Sequence, residues 1–189
     1  MSRAYRIRVS ESLSRTLRAE DSVCTQLELL EVLPAEQMAE LLRQELERRG
    51  FRNEDGQLVR QDDGVTTAID PQTGSVTVSA GSERELELHG QREGLSYDDF
   101  GPGEKNVRRG LQQQLQQDLE KQAEHEQDKL QQQATGRLEG HLADLQKELN
   151  QAVNRVTAEA LKRKAAQLGQ IKELTEDPQS GSLTIKVEV

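Results

Sequence analysis

One segment of the sequence restricts the possible folds more than any other, because it extends from Glu104 to Leu168 without a proline. It is rich in Gln, Glu, Leu, Ala and Lys, which are all good helix formers. Within it, apolar residues step alternately by four and three positions, at Leu138, Leu142, Leu145, Leu149, Ala152 and Val156. This spacing is typical of a coiled-coil seam. The segment therefore predicts a long helical structure whose apolar side packs against another helix.

Gly136 lies midway along this segment, and a turn there would fold it into a helical hairpin. The hairpin would bring the apolar residues of the two arms together in five pairs: Leu130 with Leu142, Ala123 with Leu149, Leu119 with Val153, Leu111 with Leu161, and Val107 with Ala165. A continuous helix would instead carry the last strands of the chain far from the others, and an isolated two-stranded hairpin is marginally stable in water. We expect an antiparallel helical-hairpin (coiled-coil) stalk, with a continuous helix in a dimer as the alternative.

The composition predicts a thin core and limits the classes of partner. Hydrophobic residues make up 33% of the chain, aromatic residues 2% and charged residues 31%, whereas an ordinary globular domain is nearer half apolar. The net charge of −9 disfavours nonspecific binding to nucleic acid or anionic lipid. No segment has the roughly 20 apolar residues of a membrane span, and residues 1–8 lack the apolar middle of a signal peptide. We therefore expect a cytoplasmic protein.

The sequence before the long segment predicts a small sheet-plus-helix head. Alternating or mixed apolar runs predict strands at Tyr5–Ser10, Ser22–Val32, Val65–Ile69, Ser75–Ser79 and Glu83–His89. A helix is predicted between Pro34 and Gly50, with an apolar stripe of Met38, Leu41, Leu42 and Leu46. Phe51 is expected to fold back into the core. The stretch Gly94–Gly103 is predicted to be a linker that Tyr97 and Phe100 pin to the sheet.

An internal echo predicts two similar β-hairpins on either side of the long segment. Asp70–Val78 reads DPQTGSVTV and Asp177–Ile185 reads DPQSGSLTI, so both combine a proline turn, a glycine and a resumed strand. In the second copy, alternate residues face one side of the strand and are expected to complete the core of the head: Leu183, Ile185, Val187 and Val189. The predicted fold is thus α+β, with a head (1–103), a stalk (104–168) that turns near Gly136, and a β-hairpin (169–189) that returns to the head.

No group of residues predicts a catalytic, cofactor or metal site. His89, His125 and His141 lack the spacing of a metal site and are expected at the surface. The turn Asp62-Asp63-Gly64 and the run Tyr97-Asp98-Asp99 are expected to hydrogen-bond their own backbone rather than a cation. Gly101-Pro-Gly-Glu-Lys105 lacks the phosphate-loop pattern.

Three further features concern the surface and the single cysteine. Cys24 excludes an internal disulfide and is expected to be a small buried residue. Arg155, Lys162, Arg163 and Lys164 form a basic cluster, which either complements the negative end of a helix or docks an acidic partner. Ten glutamines lie between Gln112 and Gln133 and would either bind a partner or remain solvated.

Several short motifs resemble a bacterial and cyanobacterial family encoded beside FtsH-like AAA+ ATPases and, in some bacteria, beside von Willebrand factor A proteins. The motifs are Glu93-Gly-Leu-Ser-Tyr-Asp98, Gly101-Pro-Gly103, Arg108, Gln113–Gln122 and the ending Leu168–Val189. The resemblance covers the second half of the chain. It implies an accessory component of an ATPase-based multiprotein system and supplies no catalytic residues.

The leading functional prediction is a non-enzymatic adaptor that binds other proteins, among them an AAA+ ATPase of the FtsH type and a von Willebrand factor A protein. The alternative is a coiled-coil homodimer that acts as a structural spacer, whereas the adaptor is expected to be a monomer. An enzyme would need a pocket of converging polar residues, for which Tyr97, Asp98, Asp99 and His89 are the candidates. No cofactor, nucleic acid or membrane span is expected.

Overall fold

A computed structural model of the chain describes residues 4–97, 103–176 and 183–188. The elements are, in chain order, β1 (Ala4–Gln26), α1 (Ala35–Arg48), β2 (Arg52–Glu54), β3 (Gln57–Asp62), β4 (Val65–Ile69), β5 (Ser75–Tyr97), α2 (Glu104–Leu168), β6 (Gln170–Glu176) and β7 (Leu183–Glu188). Five strands form one sheet in the order β1-β5-β4-β3-β2, and β6 pairs with β7 in a second sheet. The predicted α+β class is confirmed.

The predicted helical-hairpin stalk is wrong, because α2 is one helix of 65 residues that continues through Gly136. A glycine inside a helix costs only about 1 kcal/mol relative to alanine, which packing on both sides of it readily offsets. The apolar residues of α2 are buried against strands and α1 instead of a second arm. The five predicted arm-to-arm pairs therefore do not form.

The chain divides into two compact units: unit 1 contains residues 1–20 and 81–135, and unit 2 contains residues 21–80 and 136–189. β1, β5 and α2 each contribute residues to both units. Each unit buries its part of α2 in a different way.

Unit 1 consists of a two-stranded ribbon (residues 4–20 of β1 and 81–97 of β5) packed on residues 104–135 of α2. The ion pairs Arg8–Glu93 and Arg18–Glu83 join the two strands. Because the partner's number falls by ten as the β1 number rises by ten, the strands are antiparallel. Two apolar clusters hold the ribbon to the helix; their buried members are Ile7, Val9, Leu115 and Leu119 in one, and Leu17, Ala19, Leu130 and Ala134 in the other.

Polar side chains supply much of the remaining contact between the ribbon and α2. Arg84 pairs with Glu126 at 2.6 Å, and Arg92 pairs with Asp118. Two glutamines of α2 donate to main-chain carbonyl groups of β1: Gln127 to Arg18 at 2.7 Å and Gln131 to Glu20 at 3.1 Å. Carbonyl groups two residues apart point to the same edge of a strand. Part of the glutamine-rich surface therefore binds the protein's own strand.

Unit 2 has one larger core, formed by α1, strands β3 to β5 and residues 136–168 of α2. Its buried residues include all four members of the predicted stripe of α1, together with Phe51, as the sequence predicted. Arg60 of β3 anchors α2, because its guanidinium group makes two hydrogen bonds to the Glu148 carboxylate, at 2.7 and 2.8 Å, and lies 4.4 Å above the Phe51 ring. These hydrogen bonds lower the pKa of Glu148 below its usual value, and the pKa of Arg60 is raised.

Three turns connect the strands of unit 2 as their sequences demand. Asp55-Gly56 and Asp63-Gly64 have positive φ at both residues, which gives hairpin turns whose twist matches the strands. In the third turn, the Asp70 carboxylate accepts hydrogen bonds from the Gln72 amide and the Thr73 hydroxyl group, both at 2.8 Å. The same bonds lower the pKa of Asp70. The predicted hairpin at the first copy of the echo is confirmed by the β4–β5 register.

Three other expectations need correction. The C-terminal strands do not return to the sheet of the head, because β6 and β7 pair with each other in a separate sheet. In that sheet, Leu183, Ile185 and Val187 are half-buried and lie outside the apolar core of unit 2. β1 continues without a break from Ala4 to Gln26, so residues 27–32 are not strand. Cys24 is exposed and not buried, and its thiol group lies 3.6 Å from the Thr77 hydroxyl group of β5. Val189, Phe100 and the turn of the second echo lie outside the described residues.

Candidate protein-interaction sites

The first candidate site lies in unit 1, on the face of the ribbon that points away from α2. We call it the ribbon end and define it as Arg6, Arg8, Glu93, Leu95 and Tyr97. Arg8 pairs with Glu93, and Arg6 lies 3.8 Å from the same carboxylate. The antiparallel pairing places Arg6 opposite Leu95. Leu95 is 54% exposed and Tyr97 is 48% exposed, so a large apolar side chain and an aromatic ring lie in solvent beside two arginines.

The neighbouring residues explain why these side chains point outward. Ser96 is buried, and a Cβ atom at Gly94 would lie 2.9 Å from the Leu111 side chain, so the even-numbered residues of this part of β5 face α2. Successive residues of a strand point to opposite faces, and Leu95 and Tyr97 are therefore directed away from the helix. The five residues of the motif Glu93–Tyr97 thus have defined structural positions: Gly94 and Ser96 face α2, whereas Glu93, Leu95 and Tyr97 are exposed.

The second candidate site lies in unit 2, between α1 and residues 155–163 of α2. We call it the basic groove; it has a volume of about 360 Å³. Three arginines surround the Glu45 carboxylate, whose side chain is only 6% exposed: Arg49 at 2.8 Å, Arg155 at 3.6 Å and Arg48 at 3.9 Å. Arg49 is the closest and is itself largely buried. Arg48 and Arg155 are more than 70% exposed, and their contacts with Glu45 are long.

Further cations lie along the same groove. Lys162 and Arg163 line it, and Arg163 also contacts Glu159 at 3.4 Å. Hydrogen bonds from Arg43 and Gln44 lower the pKa of the partly exposed Glu40 on α1 to about 2, and the charge of Arg163 contributes to the same shift. The alternative that these cations complement the negative end of the helix is not supported, since the last turn of α2 contains no basic residue and the dipole effect is confined to that turn.

Of the four candidate enzyme residues, His89 and Tyr97 lie within the described part of the chain, and the structure does not bring these two together. His89 and Tyr97 lie on the same strand eight residues apart, a separation of about 26 Å at ~3.3 Å per residue. Asp98 and Asp99 lie outside the described residues. The depression beside His89 is lined by polar strand residues, among them Ser10, Ser12 and Gln91. His89 and Tyr97 therefore cannot line one compact pocket.

The other residues that were considered as candidate sites have ordinary structural positions. Asp62 pairs with Arg60 at 2.9 Å, and Asp63 is a turn residue with positive φ. His125 is exposed and His141 is partly exposed on α2. Within the described residues, no group of three or more His, Cys, Asp or Glu side chains is arranged to hold a metal ion. In the same part of the chain, no helix is long and apolar enough to cross a bilayer.

A family model described as FtsH ternary system domain X5 matches residues 1–189. The chain belongs to this family. The match extends over both units, so the resemblance is not confined to the second half of the chain. The family is a component of an FtsH ternary system, which confirms the predicted association with an FtsH-based system. Comparison of this FtsH ternary system domain with curated proteins and with solved structures gave no match.

Sequence reasoning found one of the two sites in part. It singled out Arg155, Lys162, Arg163 and Lys164, but not Arg48 and Glu45, which α1 contributes to the groove. It also noticed the motif Glu93–Asp98, but placed Tyr97 against the sheet. The alternation of Gly94, Leu95, Ser96 and Tyr97 shows that these residues lie on two faces of a strand. Such a pattern predicts the larger apolar residues on the covered face, so the sequence carried no signal that Leu95 and Tyr97 point outward.

Proposed function

We propose that this domain is a non-enzymatic adaptor of the FtsH ternary system and that it binds its FtsH-like ATPase through the ribbon end. The observation that carries the proposal is the exposure of Leu95 and Tyr97 beside Arg6 and Arg8. Tyrosine and arginine are enriched among the residues that dominate binding energy at protein interfaces. An apolar side chain next to them adds area that a partner would remove from water.

The packing of α2 supports an adaptor over a spacer dimer. The spacer requires an apolar seam that is free to pair with a second copy. Leu138, Leu145 and Leu149 are instead buried in the core of unit 2. A dimer that pairs through this seam would have to open that core and lose its packing energy. The adaptor requires no such opening.

The ribbon itself suits recognition because it displays a long strand face. The outward residues of β1 between Ser10 and Thr16 are exposed, as are those of β5 between Glu83 and Glu93. The face is polar between its ends, and polar surroundings of this kind form the rim of a typical interface around a small apolar centre. The ribbon end supplies that centre.

The proposal is tested by titrating the purified full chain into the FtsH-like ATPase of the same ternary system and measuring the heat of binding. We expect a complex whose affinity falls about 30-fold or more in the double variant Leu95→Ala/Tyr97→Ala, since loss of a dominant interface residue costs about 2 kcal/mol or more. The matched control is Leu30→Ala, because Leu30 is 65% exposed in unit 2 and lies outside the ribbon. This control should bind like the unmodified chain.

Two results would contradict parts of the proposal separately. Failure of the unmodified chain to bind the ATPase would reject the adaptor function. Binding that the double variant leaves unchanged would retain the adaptor and reject the ribbon end as its docking surface. Circular dichroism of each variant verifies that the helix content is preserved, so that a loss of binding is not a loss of folding.

A further inference from the structure

We infer that the basic groove of unit 2 binds an acidic segment of a partner protein. The inference rests on the proposed function only in that the occupant is a protein, and it concerns a surface separate from the ribbon end. Its basis is the imbalance of charge in the groove. Four cations line the groove, Arg48, Arg155, Lys162 and Arg163, against the two carboxylates Glu45 and Glu159.

The arrangement around Glu45 leaves two guanidinium groups directed to solvent. Glu45 is almost fully buried, and its short contact is with Arg49. Arg48 and Arg155 approach the same carboxylate only at 3.6–3.9 Å and are more than 70% exposed. A guanidinium group has five N–H donors, and these long contacts leave donors for a further carboxylate. An acidic side chain in the groove would complete the hydrogen bonding of both arginines.

The local charge contrasts with that of the whole chain. The protein has a net charge of −9, so a cluster of four cations is not a consequence of general basicity. The last part of α2 concentrates Arg155, Lys162, Arg163 and Lys164 with Glu159 as the one acidic residue between them. Electrostatic complementarity of this kind selects a partner and speeds its association.

The acidic residues of the groove distinguish a protein segment from a nucleic acid. Leu41, Val156 and Ala158 also line the groove, but Leu41 and Val156 are only 4% and 2% exposed, so the accessible side chains are mainly charged. The carboxylates of Glu45 and Glu159 and the negative net charge oppose a polyanion of high charge density. The charges therefore favour a protein segment rich in Asp or Glu over a nucleic acid.

The test uses a fluorescein-labelled synthetic decapeptide of glutamate and leucine and the full chain, with binding followed by fluorescence anisotropy at two salt concentrations. We expect binding that weakens as salt rises and falls at least tenfold in Arg48→Gln/Arg155→Gln. The matched control is Lys105→Gln/Lys121→Gln, which removes two exposed cations of α2 in unit 1 and should change the affinity less than twofold. Circular dichroism verifies folding, and Arg155→Gln alone serves if the double variant is unfolded.

The ATPase is absent from this assay, so the result of the peptide titration does not depend on the proposed docking of the ATPase at the ribbon end. The inference is overturned if the peptide does not bind, if both double variants bind equally, or if a lysine-leucine peptide binds as tightly. Tighter, arginine-dependent binding of a labelled oligothymidylate would assign the groove to nucleic acid instead. Light scattering that shows self-association, abolished by Arg48→Gln/Arg155→Gln, would assign it to a second copy of the chain.

Discussion

Units 1 and 2 each bury part of helix α2, but the side chains that cover the helix differ between the two units. In unit 2, α2 contributes to a core that also contains α1 and three strands of the sheet. In unit 1, the helix contacts a two-stranded ribbon through two small apolar clusters, with ion pairs and glutamine hydrogen bonds at other points of the contact. The two halves of one helix are therefore held by different interactions: apolar packing in unit 2, and a mixture of apolar and polar contacts in unit 1.

The difference has a consequence for binding. A ribbon with helix on one side exposes the whole opposite face of both strands, because unit 1 has too few apolar residues for a second layer. Unit 2 covers its apolar residues on the core side and presents a charged groove between two helices. Recognition at unit 1 is expected to depend on exposed side chains of strands, and recognition at unit 2 on charge.

The largest expected effect comes from the core of unit 2. Leu42 is fully buried, and Leu42→Ala should lower the free energy of unfolding by about 2–5 kcal/mol, because it removes apolar contacts and leaves a cavity. Chemical denaturation measures the loss, and hydrogen exchange should show it across α1 and strands β3 to β5. The control Leu30→Ala, at an exposed position, should cost less than about 0.5 kcal/mol. Equal losses in the two variants would show that unit 2 lacks the core described above.

A smaller effect is expected at the ribbon of unit 1, where Gly90 faces α2. A Cβ atom at this position would lie 2.6 Å from the Leu115 side chain. Gly90→Val should therefore destabilise the contact between ribbon and helix by about 1–3 kcal/mol, the usual range for overpacking. Hydrogen exchange should accelerate in residues 4–20 and 81–97 more than in unit 2.

Gly81 provides the matched control for this variant. It lies in the same strand, but a Cβ atom there would have nothing within 4 Å. Gly81→Val should leave exchange in the ribbon close to that of the unmodified chain. If the two valine variants behave alike, close packing of α2 on the ribbon is not what holds unit 1 together.

The smallest expected effect is a pH dependence in unit 2. The hydrogen bonds from Arg60 lower the pKa of Glu148 relative to the unfolded chain. The stabilisation is therefore complete above the ordinary glutamate pKa of 4.5 and is lost as the pH falls below that value toward the lowered pKa. We expect a loss on the order of 1 kcal/mol from this pair. Denaturation between pH 7 and pH 3 measures it.

The variant Arg60→Met isolates the contribution of this pair. It removes the hydrogen bonds that lower the pKa of Glu148, so the free energy of unfolding should depend less on pH than in the unmodified chain. Parallel pH curves for the two proteins would mean that the Arg60–Glu148 pair does not contribute to the acid sensitivity of unit 2.

Local sequence signals predicted the local elements well. The helix between Pro34 and Gly50, its buried stripe, the turn at Asp63-Gly64 and the β4–β5 hairpin all follow from short-range patterns whose partners lie a few residues away. The link to an FtsH-based system also followed from short motifs. The exposure of Cys24 and of Tyr97 did not, because the sequence does not say which face of a long strand is covered.

The sequence by itself determined that residues 104–168 are helical and apolar on one side, since helix propensity and periodicity are local properties. It did not determine what that side contacts. An apolar stripe spaced by three and four residues can pack against another helix or against strands. Gly136 is compatible with both a turn and a continuous helix. The tertiary structure decided the matter, because strands β1 and β5 and helix α1 offer α2 apolar surface along both of its halves. Packing of this kind releases more free energy than a single glycine costs.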